Sequence, residues 1–591
     1  MWSLPSLTGL VSLSLLVNLS AAVPAPALEV SQIETRAAST CNTPDNRACW
    51  TDDFNLQTDY ETSTPPAGSS PRTFDWEITE QDNYETADGR VLPKVMLING
   101  QFPGPTLQAN WGDDIVINVK NSLETNGTSI HWHGIRQLHN NIHDGANGVT
   151  ECPLAPGKSK TYRWRATQYG TSWYHSHFSA QYGNGIWGPI VINGPSSDNW
   201  DIDLGPFPIS DSYDQAADEL VHVTMTAGAP ASNNVLFNGT NVHPDDPTKG
   251  QYARVQLQPG KRHLLRLMNP SVENNFHVKL EGHQFNVMAT DMVPVNSFTT
   301  DSLFMGVGQR YDVMIDANQA SGNYWFNITL TFAEQFPDNQ LCGTSFNQFP
   351  AAVFTYADAA EPEGLPTTQG TPFNDTSCQD STDFVPIHSR SAPDFVLDPN
   401  RDLVVTLDAA PFVWKVNGSA VNVDWNRPVL DYVLEGNTSY PRSENIYVVD
   451  EKDVYTYWVI ENQNALPHPM HLHGHDFLIL GHSPPEGEPT AFRAGGDALN
   501  LENPTRRDVT MLPGNGWLVV AFRADNPGNW LFHCHIAWHV SGGLGADFLE
   551  RAAEQADQIS DQDLSEYQQT CREWREYFPD QAPFPKIDSG I

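Results

Sequence analysis

Four short histidine clusters, two in the first third of the chain and two near its end, constrain the fold more than any other feature. They read HWH at 131–133, HSH at 175–177, HPMHLH at 468–473 and HCHIAWH at 533–539. Successive side chains of a strand point to opposite faces, so residues i and i+2 share one. Each His-x-His therefore presents two imidazoles to one side. One such pair is a weak signal, because two half-exposed histidines on a strand face are more often structural. Four clusters, holding ten of the twenty histidines, predict a shared metal-bearing interface. His131/His133 and His175/His177 come to it from one block of chain, His471/His473 and His533/His535 from another.

The same alternation sends Cys534 away from His533 and His535. Its thiolate, joined by His468 and His539, gives the trigonal His₂Cys set of a blue-copper electron-transfer centre. The axial ligand of such a centre usually falls several residues beyond the last histidine, where Leu544 stands. Leucine cannot coordinate, which favours Cu(I) and raises the reduction potential. One peptide unit then separates the two sets of ligands, putting the centres on the order of 10 Å apart. Structural zinc sites prefer four ligands with repeated cysteine, so copper is the expected metal.

With 591 residues the chain has room for several cores. Hydrophobic residues make up 39% and charged residues 17%, with 44 Pro and 42 Gly, which favours many short strands joined by turns. Period-two alternation begins at KVMLINGQFPGPTLQANWGDDIVINVKN and returns at NVLFNGT with GKRHLLRLMNP, then at FVWKVNGSAVNVDW with DVYTYWVIEN. The expected division is a leader at 1–22, a polar extension outside the core at 23–70, β-sandwich blocks at 71–200, 205–360 and 401–591, and a connector at 361–400. Helical spacing is concentrated in EQADQISDQDLSEYQQTCREWREYF. The middle block holds His222, His263, His277 and His283, none in an i, i+2 pair, and is expected to bind no metal.

A net charge of −39 repels phosphate backbones and anionic membrane surfaces, which argues against nucleic-acid or membrane partners. The apolar N-terminal run followed by small residues fits a secretory leader, and no later segment has the ~20 apolar residues of a membrane span. Sequons at Asn126, Asn238, Asn327, Asn374, Asn417 and Asn437 fit a secreted glycoprotein. Seven cysteines in an oxidising compartment suggest three disulfides with Cys534 left over. Cys41–Cys49 is a plausible short loop, while the pairing of Cys152, Cys342, Cys378 and Cys571 stays open.

HWHG, HSHF, HPMHLHGHDF and HCHIAWHVSGGL resemble the four copper motifs of multicopper oxidases, and the chain from about Cys41 to Ile591 is similar to the laccases of filamentous ascomycete fungi. The resemblance implies an all-β fold of three consecutive cupredoxin-like Greek-key sandwiches with a short helical C-terminal segment, and four coppers. His468, Cys534 and His539 would bind type 1 copper, with Leu544 in the non-coordinating axial place. His131 and His471 would bind type 2, and His133, His175, His177, His473, His533 and His535 the type 3 pair. His475 continues the i, i+2 series but is not a ligand in the family pattern.

Two carboxylates match family positions. Asp144, in HDGANG, would assist proton delivery to oxygen; otherwise it is a turn residue before Gly. Glu273, in NPSVENNF, would sit in the substrate pocket beside His539 and accept the phenolic proton; otherwise it is a solvated surface acid. Trp538 lines the same pocket or simply packs. The terminal DSGI resembles a plug that enters the solvent channel toward the cluster. The implied function is a secreted, monomeric laccase: one-electron oxidation of phenols and aromatic amines coupled to reduction of dioxygen to water. Lignin-derived phenols, pigment precursors and defence compounds all remain open as natural substrates. The alternatives are a ferroxidase, an ascorbate oxidase or a non-enzymatic copper electron-transfer protein.

Overall fold

The computed structural model describes residues 41–68, 71–330, 342–347, 349–368, 370, 373, 377–392, 395–396, 398–409, 411–484 and 491–591. The expected leader and the Asn374 sequon lie outside the described residues.

Strands dominate because the sequence alternates. Asp114–Asn121 (DIVINVKN) buries every second side chain, and Ser159–Arg165 does the same. The strands form six sheets in three pairs, drawn from Arg72–Asn193, Ile202–Tyr356 and Asp402–Glu550. One topology recurs in each pair. The first sheet runs hairpin partner, first strand, a parallel neighbour, then an antiparallel one, as in Val91–Ile98, Arg72–Glu85, Asp114–Asn121, Ser159–Arg165. The second sheet opens on a parallel pair, as in Leu107–Asn110 beside Trp187–Asn193. A parallel neighbour needs a crossover, and in each block that crossover passes through a strand of the other sheet, which builds the two-sheet sandwich that the resemblance implies. The first and middle sandwiches each have an apolar core, and that of the third is continuous with buried residues of both, Trp173 and Val272 among them.

In the first core lies Trp132, against Trp76, Trp164 and Tyr174. Since Trp132 points into its sandwich, His131 and His133 on either side point out of it. In the third sandwich it is Cys534, Met470 and Phe532 that face the core, so His533 and His471 point out.

Three features depart from the sequence reading. The polar segment 41–68 is not outside the core: Tyr60 is buried in the first sandwich beside Tyr169, with Trp50 and Phe54 packed against that core. A few aromatic anchors, the Cys41–Cys49 disulfide and the Arg506–Glu61 ion pair at 3.1 Å hold it there. A helix, Ala217–Ala227, stands in the middle block, burying Ala217, Leu220, Val221 and Thr224 at helical spacing. The 361–400 connector is partly built in, with Cys378, Asp380, Phe384 and Ala392 buried.

The C-terminal segment forms helices Ala552–Gln558 and Asp561–Tyr577, the second capped by Ser560 Oγ accepting from Asp563 N at 3.1 Å. Cys152–Cys571 ties that helix to the first sandwich, and Cys342–Cys378 closes the third disulfide. Cys534 is the free cysteine, and it is buried.

Candidate metal centres

The strand Gly528–Cys534 positions both centres. It pairs antiparallel with His468–Leu472 in the register Met470↔Cys534 and His471↔His533. Directly opposed residues share a face. Cys534, Met470 and therefore His468 lie on the inner face; His533, His471 and their i+2 neighbours lie on the outer one.

On the inner face Cys534 Sγ is 3.6 Å from His468 Nδ1 and 3.5 Å from His539 Nδ1, and the two nitrogens are 3.1 Å apart. Ligands on one ion, with bonds of about 2.0 Å to N and 2.3 Å to S, keep such spacings. His539 stands on the short helix Ala537–Ser541, whose Ala537 N donates to Val272 O at 2.8 Å. Leu544 is fully buried in the same core cluster as Cys534, and its carbonyl accepts from Cys534 N at 3.2 Å. The Trp414 ring lies 4.6 Å from both imidazoles. Burial holds His468 well below the usual imidazole range and His539 down at about 3, so both offer neutral lone pairs. Burial, with Glu273 nearby, pushes the Cys534 thiol well up. A thiolate there requires a cation, and the soft thiolate with two imidazoles suits copper.

On the outer face eight imidazoles converge from two sandwiches. His131 pairs with His175 across adjacent strands. The ring of His131 stacks on His473 at 3.8 Å and that of His133 on His471 at 3.9 Å, so each pair joins the first sandwich to the third. His473 Nε2 lies 3.3 Å from His533 Nε2, and His133 Nδ1 3.1 Å from His535 Nε2. Four ring nitrogens are tied to backbone carbonyls. His131 Nδ1 donates to Asp144 O at 2.8 Å, His471 Nδ1 to Asp508 O at 2.9 Å, His175 Nδ1 to Ser176 O at 3.0 Å and His533 Nδ1 to Cys534 O at 2.9 Å. Of the remaining nitrogens, His131 Nε2, His175 Nε2, His471 Nε2, His535 Nδ1 and both of His177 are buried without a protein partner. Buried polar atoms left this way call for a ligand, and hydrogen bonds to backbone carbonyls of this kind fix the ring orientation of metal-binding histidines. Triads within reach of one ion include His177/His473/His533 and His131/His133/His175. Burial and the neighbouring rings hold His133, His175, His177, His471, His473 and His535 well below the ordinary value and His533 at about 4. The donor set fits a group of coppers.

His475 does not join them. The strand ends at Leu472 and Gly474 takes φ +69°, so the alternation breaks and His475 turns to Glu550 at 3.1 Å.

Asp144 is buried beside the outer cluster, with Oδ2 2.8 Å from His473 Nδ1 and Oδ1 3.3 Å from His131 Nδ1. It is also a turn residue, since Gly145 follows at φ +84° where a Cβ would meet Ile130 O at 1.9 Å. Glu273 is half-buried, with Oε2 sealed and unpartnered. Its loop is locked to the His539 helix through the Val272 carbonyl. Sequence reasoning missed Asp211, which gathers Val272 N at 2.8 Å, Glu273 N at 2.9 Å and Asn274 N at 3.0 Å. Burial and the Asp211 charge push the Glu273 carboxyl up to about 8. Trp538 is buried, edge-on to Tyr213 at 5.8 Å. The DSGI tail is buried too: Ser589 N donates to Ser541 O at 2.9 Å, and Ser179 Oγ donates to Asp588.

Multicopper oxidase family models match residues 79–197, 204–357 and 414–554. Laccase-1 of Melanocarpus albomyces is 57% identical over 568 residues, covering 93% of this chain and 89% of that one. A laccase of Neurospora crassa is 55% identical over 564 residues, with the same coverage of 93% and 89%. The crystal structure of the laccase from Botrytis aclada superposes with a TM-score of 0.84 at 36% identity, covering 94% of this chain and all of that one. The chain belongs to the multicopper oxidase family. Within it, the chain stands among the ascomycete fungal laccases: a copper oxidoreductase with laccase function.

Proposed function

We propose that the chain takes single electrons from phenols and aromatic amines at the Cys534 site and uses them at the eight-histidine site. His468, Cys534 and His539 would hold type 1 copper beside a non-coordinating Leu544. His131 and His471 would hold type 2. His133, His175, His177, His473, His533 and His535 would hold the type 3 pair. Copper at these places supplies one-electron oxidation of the substrate and four-electron reduction of dioxygen to two waters.

The observation that carries this reading is the single strand that puts Cys534 on one face and His533 on the other, with the Cys534 carbonyl hydrogen-bonded to the His533 ring at 2.9 Å. Covalent backbone and that hydrogen bond link the two donor sets. His539 keeps 7% exposure against none for His468, so it is the ligand that meets substrate. Glu273, ionised, accepts the phenolic proton as the electron leaves. Asp144, against His131 and His473, supplies protons toward oxygen. The DSGI tail plugs the approach between Ser179 and Ser541. A leucine rather than a methionine at the axial place speaks against an ascorbate oxidase, and an electron carrier leaves eight converging histidines unexplained. Three disulfides and exposed sequons at Asn238 and Asn417 support secretion; we take the protein to act as a monomer.

Cys534→Ser tests the assignment. The variant should fold, lose its blue absorption and lose phenol oxidation; retained phenol oxidation would refute the role of that sulfur. Oxygen uptake with a dimethoxyphenol, ascorbate and Fe(II) in turn separates laccase from its alternatives.

A further inference from the structure

The middle sandwich supplies none of the assigned ligands, yet one of its side chains reaches the cluster. Arg310, on the strand Arg310–Asp316, is fully buried and donates from Nη1 and Nη2 to the two carboxylate oxygens of Asp508, both at 2.7 Å. Asp508 stands between two histidines of different sandwiches. Its Oδ1 accepts from His133 Nε2 at 3.1 Å, and its backbone carbonyl accepts from His471 Nδ1 at 2.9 Å. Those two rings are stacked 3.9 Å apart within 9° of parallel.

Asp508 is held from a second direction. Its N–H donates to Asp291 Oδ2 at 3.1 Å, and Asp291 Oδ1 accepts from Arg310 N at 2.9 Å and from Arg507 Nη2 at 3.0 Å. The approach is close: at Gly134, next to His133 and at φ +71°, a Cβ would lie 2.4 Å from Arg310 Nη2 and 2.6 Å from Asp508 Oδ2. A planar guanidinium fork matches a carboxylate in direction as well as charge, which an ammonium does not. Two hydrogen bonds in one plane fix the tilt of the Asp508 carboxylate, and with it the direction from which His133 Nε2 is held.

We propose that Arg310 is a positioning residue of the middle sandwich for the metal cluster: its fork on Asp508 orients His133 through the carboxylate and, by holding that residue in place, His471 through its carbonyl, and so governs occupancy of the type 3 and type 2 places these rings would serve. This rests on the assignment of His471 to type 2. Groups that orient metal ligands typically change metal affinity by about 10–100-fold when altered.

The test is Arg310→Lys in the copper-loaded enzyme, with total copper, the type 2 electron paramagnetic resonance signal and the type 1 absorption read together during titration with a chelator. The expected result is type 2 copper lost at about 10–100-fold lower chelator than in the parent, with type 1 absorption unchanged. Asp508→Asn keeps the volume and Oδ1 but removes one prong, and gives the answer if Arg310→Lys fails to fold. A full and equally tight type 2 complement overturns the proposal. So does parallel loss of type 1 and type 2, which marks a merely structural role. His471→Ala is the control: if it keeps the type 2 signal, the ligand assignment is what has failed.

Discussion

Replacing Glu273 by Gln removes the proposed base without changing its size. A phenol ordinarily titrates near ~10, so handing its proton to an exposed carboxylate near ~4.5 is uphill by roughly 7.5 kcal/mol. The Glu273 carboxyl, pushed up to about 8 by burial and Asp211, cuts that gap to roughly 2.7 kcal/mol. The sign of the pH effect follows: only the ionised form accepts a proton, and its population grows with pH up to about 8. Two units below that value about one molecule in a hundred is ionised, a handicap of roughly 2.7 kcal/mol. Anaerobic bleaching of the blue absorption by a dimethoxyphenol, followed by stopped flow, isolates this step from oxygen reduction. Its rate should climb nearly tenfold per pH unit and level off near pH 8. In Glu273→Gln the climb should disappear, with a loss of about 10²–10⁴-fold at pH 8 that shrinks toward acid. Ferrocyanide, with no proton to lose, should show neither effect. The same slope in the variant, or equal losses for phenol and ferrocyanide, would refute the base.

Asp211→Asn should move that climb toward acid, because a negative neighbour is removed; a shift to higher pH contradicts the cause assigned. Asp144→Asn should slow reoxidation by dioxygen about 10²-fold more than it slows bleaching by phenol, which double-mixing stopped flow measures. Gly308→Ala places a Cβ 3.0 Å from the His535 ring and 3.1 Å from that of His133 at φ +87°. It should cost about 1–2 kcal/mol in backbone strain and lower copper content, read by thermal melting and metal analysis. Added copper at ~100 times its Kd should stabilise the stripped protein by about 2.7 kcal/mol, and a copper-independent Tm would count against ligands that converge as described.

Which face Cys534 takes was legible because strand alternation is a local rule. It placed the sulfur with His468 and the flanking rings with His471, and the register Met470↔Cys534 agrees. The same rule misleads at His475, where the strand has already ended. Asp211, Arg310 and Asp508 were not legible: in sequence they are charged residues in strand-like runs, and only the folded chain shows that they meet backbone N–H groups or ligands from elsewhere. The Cys152–Cys571 pairing, across 419 residues, is equally a property of the assembled sandwiches. Tyr60 illustrates the converse, an aromatic anchor in a segment whose average composition says surface.

His133 and the His535 ring it meets at 3.1 Å are 402 residues apart along the chain. At a ribosomal pace of about 5–20 residues per second, the earlier imidazole waits roughly 20–80 s before its counterpart has even been synthesised. The first sandwich by itself carries four of the eight converging rings, half a cage. Both donor sets draw on residues between His468 and His539, so neither is complete until that stretch has been made.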